Sequence, residues 1–315
     1  MSHGIEVSTA FSNMQQTEKS LSVLIVNYNS GTYAVDCIHS LLQQQGLALE
    51  LIVLDNASQD DSLALLDKAF GKKITLIDSK ENLGFGRANN LAASQATGEY
   101  LLLLNPDTVI SNSLDLLKLI ELLESHPEVG MVGPAIVEPR KGKNVLPRYR
   151  YPASRKLKYT DTFKNLPGKI AWILGACMLI RRDVYNEIAG FDPDYFLYGE
   201  DADICLRLRQ HGYQIGYCES VEITHVSGAS EIGADSLDKW LRKKRGVFLF
   251  CKKHFDRRDA LRLAKRTVIK STVYIFLNSL LEILSLKNAH VLHDKKSRLN
   301  AGKIAAQELI QALIA

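Results

Sequence analysis

The chain is short of every feature that would place it outside the cell or inside a bilayer. Its five cysteines (Cys37, Cys177, Cys205, Cys218 and Cys251) form an odd set with no CxxC and no metal-ligand spacing. That excludes a disulfide framework and a zinc site, and predicts reduced, mostly buried thiols. The first 19 residues lack a basic start followed by an apolar run, so no secretory leader is read and a cytoplasmic location is expected. The most apolar stretch, 271–286, is broken by Asn278 and Glu282 and preceded by Lys270. It falls short of the ~20 apolar residues that a membrane-crossing helix requires. Internal repeats are absent as well.

What remains is globular: 315 residues, 46% hydrophobic and 23% charged, enough for one large domain or two small ones with a real core. The net charge of +4 conceals an asymmetry. Residues 140–158 carry eight Lys/Arg and no Asp/Glu, and residues 239–270 carry thirteen against only Asp256 and Asp259. An acidic body with two basic tracts suggests phosphate-bearing partners, either anionic lipid or nucleic acid.

From residue 20, apolar runs of strand length alternate with helical patterns. LSVLIV at 21–26, ELIVL at 50–54, ITLI at 74–77 and YLLLL at 100–104 are separated by segments with helical apolar periodicity, the last running from Ser113 to Glu124. Continuous apolar strands between helices predict a mostly parallel α/β sheet. Residues 138–170 read as a long basic surface loop, 171–182 as a strand, 201–211 as a helix and 213–218 as a short strand. From Ser236 onward a basic and apolar helical region runs to the end. The domain division that follows is a disordered tail at 1–19, a catalytic domain at 20–235 and a helical appendage at 236–315.

Four polar clusters stand where strands end, the edge at which open α/β sheets bind ligands. They are Asn27-Tyr28-Asn29, Asp55-Asn56-Ala57-Ser58, the segment Asn82 to Asn90, and Asn105-Pro106-Asp107-Thr108. Asn and Asp at such places are also ordinary turn formers and helix caps. The Asn82–Asn90 segment fails as a dinucleotide fingerprint, because Asn89 stands at the third glycine position and the motif comes late in the chain. Gly84 with Arg87 at a helix start is still suited to a diphosphate. Asp107, past the end of a buried strand, suits a divalent cation completed by phosphate oxygens. Downstream, GFDPDYFLYGEDAD at 190–203 packs five carboxylates among four aromatics. This is either an acidic first helical turn or the source of a general base. His225 follows another apolar stretch; a lone histidine is more often structural than a ligand.

Taken in order, VNYN at 26–29, DNAS at 55–58, NLGFGRANN at 82–90, LLLLNPD at 101–107, GACMLIRR at 175–182 and GFDPDYFLYGEDADICLRLRQHG at 190–212 resemble glycosyltransferase family 2, with its GT-A fold, and in particular its rhamnosyltransferase-type members. The resemblance implies that Asn27, Asn29 and Asp55 lie against the base and ribose of a sugar nucleotide, with Asn82, Gly84 and Arg87 near ribose and diphosphate. Asp107 takes the place of the metal-binding carboxylate of the family's DxD element, whose first Asp is here Asn105. His225 matches a histidine that completes the metal site in related enzymes. Asp201 matches the catalytic base, with Glu200, Trp172 and Gly175 on the acceptor side.

The activity so implied is inverting transfer of a sugar, with dTDP-L-rhamnose as donor and Mg²⁺ or Mn²⁺ as cofactor, onto a glycan or a polyprenyl-diphosphate-linked glycan. A UDP-sugar donor is the alternative within the family. The helical region 239–286 then reads either as an anchor on an anionic membrane surface at the inner face of the cell membrane, or as a subdomain packed on the body or on a second subunit in a homo-oligomer. Outside the family stand a nucleic-acid-binding protein and a silent sugar-nucleotide scaffold. Nucleic acid is disfavoured because the basic tracts lie away from the strand-end clusters and no aromatic stacking motif accompanies them.

Overall fold

A computed structural model describes residues 19–139, 142–157, 161–226, 236–283 and 289–314. The expected N-terminal tail therefore lies outside the described residues except for Lys19, which opens the first strand. The apolar runs form one half of the sheet, from its β3 edge inward. β1 (Lys19–Asn27), β2 (Leu47–Asn56), β3 (Thr75–Ser79) and β4 (Tyr100–Leu104) pair in parallel in the order β3-β2-β1-β4. Connecting them are α1 (Gly31–Leu41), α2 (Ser62–Phe70) and α3 (Gly84–Ala93).

Beyond β4 the sheet becomes mixed. β5 (Thr108–Ile110), α4 (Asp115–Ser125), β6 (Val129–Glu138), β7 (Lys143–Val145), β8 (Cys177–Arg181), α5 (Arg182–Glu187), α6 (Glu200–Gln210) and β9 (Gln214–His225) follow in the chain. In space the order continues β4-β8-β6-β9-β5, with β7 on β6. β8 is antiparallel to both β4 and β6, β9 is parallel to β6, and β5 is antiparallel to β9. Most strands thus share one direction, as expected, while β5, β7 and β8 run the other way.

Period-two alternation sends side chains to both faces, and both are covered. Val23, Val53, Leu102 and Leu179 join Ile38, Leu66 and Leu119 of α1, α2 and α4 on one side. Leu24, Ile52, Leu103 and Met178 join Ala92, Val184 and Ile204 of α3, α5 and α6 on the other. Each such buried aliphatic contributes roughly 2 kcal/mol. All five cysteines are buried and free.

Three expectations need correction. The strand read at 171–182 is confined to Cys177–Arg181, and the helix α5 begins at Arg182. The short strand read at 213–218 runs on to His225, because a break in register between Pro134 and Ala135 of β6 lets β9 restart its pairing at Glu222. The basic 138–170 stretch is not merely a surface loop. β7 pairs with β6, Arg148 bridges Trp172, and the buried Tyr151 packs on the rings of Phe163 and Phe250 at 5.0 and 5.8 Å, which also touch each other. Arg209 of α6, itself buried, holds this segment by donating to the carbonyls of Leu166, Pro167 and Gly168 and to the Tyr151 hydroxyl.

The C-terminal helices are α7 (Ser236–His254), α8 (Arg257–Ile283) and α9 (Ala289–Ile314). They share a third core with α6, in which Tyr195, Ala202, Leu206, Phe250, Ala264 and Ala305 meet. Within the 239–286 tract, α7 therefore faces inward; residues 284–286 lie outside the described ones.

Candidate active site

The in-register pairing of β1 with β2 sets Asn27 directly beside Asp55. Asn27 is fully buried; its Nδ2 donates to Asp55 Oδ1 at 2.8 Å, and its Oδ1 is buried with no partner. The Ser58 hydroxyl and N–H both donate to the Asp55 carboxylate, at 2.7 and 3.0 Å. Asn29, at φ +49°, accepts the Gln59 N–H at 2.7 Å and donates its own N–H to Ser58 Oγ. Its polar groups thus brace the two strand-end loops.

The start of α3 is braced by Asn56, which the sequence reading passed over. Asn56 Nδ2 donates to Asn82 Oδ1 at 3.0 Å and to the Gly84 carbonyl, while its Oδ1 accepts the Leu83 N–H at 2.8 Å. Gly84 adopts φ +76°, and a Cβ there would lie 2.3 Å from the Phe196 carbonyl oxygen, so the position requires glycine on both counts. Its N–H is taken by Asn82 Oδ1, so this glycine serves close packing of the 190–199 loop. Arg87 is exposed and its Nε donates to the Pro193 carbonyl at 2.7 Å. Asn90, also passed over, fixes the same loop by donating to the Phe191 carbonyl and accepting from the Phe191 N–H and the Tyr185 hydroxyl.

Between β4 and β5 the Asn105–Thr108 turn is pinned by the Thr108 hydroxyl on the Asn105 carbonyl at 2.7 Å. The thiol of Cys37 backs it; burial pushes that thiol up to about 12, so it acts as filler. Because β5 pairs Thr108 with His225, His225 Nε2 lies 3.2 Å from Asp107 Oδ1 and 3.3 Å from Asn105 Nδ2. Glu138, at the end of β6 and buried, puts Oε1 3.6 Å from His225 Nδ1. Among the described residues no three His, Cys, Asp or Glu side chains converge as a ready-made metal cluster. A carboxylate and an imidazole nitrogen this close nevertheless fit a divalent cation whose remaining ligands come from a bound diphosphate.

Opposite this turn, α6 begins at Gly199, whose φ of +96° turns the chain into the helix. Glu200 is buried with Oε2 unpartnered, whereas Asp201 is partly open to solvent. Burial raises both carboxyls above the ordinary range, and the charge of Asp201 adds to the rise at Glu200. The N–H groups of Ala202 and Gly175 and the charge of Arg148 work the other way at Asp201. The pair therefore holds a proton more tightly than two separate carboxylates would. Asp203 differs: against the cost of its burial, His254 and Arg207 hold its carboxyl below the usual range, with contacts of 2.6 and 2.7 Å.

Trp172 lies under Arg148, whose guanidinium is 5.9 Å from the ring centre, and its Nε1 donates to the Arg150 carbonyl. Gly175 and Ala176 link the two halves of the site. The Gly175 N–H faces Asp201, and the Ala176 carbonyl accepts the Asn105 N–H at 2.9 Å.

Similarities to known proteins bear on the family and the fold. The O-antigen chain rhamnosyltransferase WbaN of Salmonella anatum is 25% identical over 211 residues, 65% of this chain and 66% of that protein. The N-acetylglucosaminyl-diphospho-decaprenol L-rhamnosyltransferase of Mycobacterium tuberculosis is 23% identical over 266 residues, 73% of this chain and 83% of that one. Among solved structures, the mannosyltransferase PcManGT from Pyrobaculum calidifontis, in complex with GDP-Man and Mn²⁺, superposes with a TM-score of 0.57 at 16% identity, covering 92% of this chain and 86% of that one. The fold is thereby the GT-A fold that the motifs implied. The family model for glycosyl transferase family 2 matches residues 22–189, more than half of the sequence. With five of the six motifs lying at least partly inside that span, the chain belongs to glycosyl transferase family 2.

Proposed function

We propose that the protein is an inverting glycosyltransferase that moves L-rhamnose from dTDP-L-rhamnose onto a glycan, or a polyprenyl-diphosphate-linked glycan, in cell-surface polysaccharide synthesis. The observation that carries this reading is Asp201. It is a carboxylate with raised proton affinity, partly open to solvent, and linked through the Gly175–Ala176 segment to the turn that bears Asn105 and Asp107. The names of the relatives support rhamnose and a lipid-linked acceptor.

In this mechanism the nucleoside rests on the Asn27–Asp55 pair, whose unpartnered Asn27 Oδ1 gains a donor when a base or ribose hydroxyl enters. Asn82 and Arg87 border the ribose and diphosphate. Asp107 and His225 would hold Mg²⁺ or Mn²⁺, and the bound cation would offset negative charge growing on the departing diphosphate. Asp201 accepts the proton of an acceptor hydroxyl as that oxygen attacks the anomeric carbon, and the dTDP leaves from the opposite face, which inverts the centre. Glu200 is too enclosed to meet an acceptor; its raised proton affinity beside Asp201 favours a single charge on the pair. No helix among the described residues is long and apolar enough to cross a membrane; in this reading a lipid-linked acceptor is met at the inner face of the bilayer.

The test is a thermal-shift screen of dTDP-L-rhamnose against UDP-sugars, with and without Mn²⁺ or Mg²⁺, followed by a transfer assay. Selective stabilisation by dTDP-rhamnose plus cation is expected, because a ligand that binds only the folded state raises apparent stability. Stabilisation by a UDP-sugar alone would move the donor assignment, and indifference to all nucleotide sugars would overturn the reading.

A further inference from the structure

The C-terminal helix α8 is exposed in an unusual way. Its inner side presents Ala260, Ala264, Ser271 and Asn278, all buried, and packs on α9. At 3.6 residues per turn, its outer side is a single stripe within about 80° of Ile269. The first half of that stripe holds Arg258, Arg262, Lys265 and Arg266, all exposed. The second half holds Ile269, Val273, Phe276, Leu277 and Leu280, exposed to 65%, 49%, 68%, 44% and 44%. Large apolar side chains contiguous on a solvent-facing helix mark a contact surface.

We infer that this face of α8 lies on an anionic lipid bilayer, with its arginines and lysines at the headgroups and Phe276, Leu277 and Leu280 in the acyl boundary. Charge selects this occupant. Between 257 and 281 the only acidic residue is Asp259, which is buried. A second copy docking through the same stripe would therefore bring cations against apolar side chains or against other cations, with no carboxylate to receive them. A bilayer of anionic lipids meets both halves at once. The apolar half, Ile269 to Leu280, spans twelve residues, about 18 Å of helix, far short of the ~30 Å hydrocarbon core, so the helix lies in the interface plane.

The inference deepens the proposed function and rests on its lipid-linked acceptor only for the choice of bilayer. It also narrows the sequence reading of the 239–286 tract as either an anchor or a packed subdomain: α7 is packed inward, and the described surface falls to α8.

The experiment is co-sedimentation of the full-length protein with vesicles of phosphatidylcholine alone and of phosphatidylcholine mixed with phosphatidylglycerol, at low and high salt. It is run beside analytical ultracentrifugation and the donor thermal shift. At least tenfold tighter binding to the anionic vesicles at low salt is expected, falling roughly fivefold for each of Arg262→Gln and Lys265→Gln. Phe276→Asp with Leu280→Asp is expected to abolish vesicle binding while the donor shift is retained. Absence of vesicle binding, equal binding to both vesicle types, or a dimer that Phe276→Asp dissociates would overturn the inference. Vesicle binding without any donor shift would instead sink the enzymatic reading and leave the surface standing.

Discussion

Asp201 and Gly175 face one another at the mouth of the site: the Gly175 N–H is aimed at the Asp201 carboxylate, and a Cβ on Gly175 would stand 3.5 Å from that of Asp201. The glycine leaves room in front of the carboxylate while its amide steadies the ionised form. Removal of the carboxylate proposed as proton acceptor is the most direct challenge to this reading. Asp201→Asn is expected to lower transfer by about 10³-fold while donor binding, followed by thermal shift, stays intact. Full turnover in that variant would remove Asp201 from the mechanism.

The Asp107–His225 contact at 3.2 Å predicts metal-dependent donor binding. A chelator should erase the donor-induced rise in Tm, and Asp107→Asn or His225→Ala should raise the donor Kd measured with saturating Mn²⁺ by at least tenfold. Equal donor affinity with and without chelator would show that these side chains hold no cation.

Because burial raises the proton affinity of Asp201, the acid limb of the kcat/KM profile should lie above the ordinary carboxylate range. Arg148 favours the ionised form. Its removal in Arg148→Gln should shift the limb further toward neutral pH, by no more than about half a unit since the guanidinium is exposed and screened. A limb that stays put or moves to lower pH would show that another group titrates.

Glu200 yields a stability prediction of definite sign. Its folded-state carboxyl is raised by burial and by Asp201, so between the ordinary value and the raised one the unfolded chain releases a proton that the folded one keeps. Stability is therefore lost as pH climbs through that window. Glu200→Gln avoids the loss: calorimetry should find little difference from the parent near about pH 4 and a gain of about 2 kcal/mol by about pH 7.5. A gain independent of pH would point to packing instead.

A Cβ on Gly246 of α7 would lie 2.0 Å from the Tyr198 carbonyl oxygen. Gly246→Ala is expected to cost about 3 kcal/mol in urea unfolding and to depress transfer, since Tyr198 stands three residues before Asp201. A neutral outcome would mean that helix and loop are not in contact.

The strands β1, β2 and β4 were legible because buried parallel strands are written as unbroken apolar runs, and the polar residues that end them, Asn27, Asp55 and Asn105, stand out by contrast; β3, half-exposed at the sheet edge, was read only from the short run ITLI. Glu138 was not legible. It closes β6 but opens the basic stretch Pro139–Lys143, and composition there reads as loop. Asn56, Asn90 and Arg209 were missed for a different reason: each satisfies backbone groups far away in sequence, and nothing in the local pattern marks a side chain for that duty. The second half of β9 was hidden by its interrupted pairing with β6, which no periodicity announces, although that interruption is what brings His225 level with Thr108.

The loop at 190–199 together with α6 is fastened to the helix α7 at three points: Lys253 to Asp192 and Asp194, His254 to Asp203, and the glycine contact at 246. Anyone grafting acceptor preference from one relative to another would therefore have to exchange loop, α6 and α7 as one cassette. A chimera cut within it would strand a buried aspartate without its histidine and leave the base on a loosened hinge.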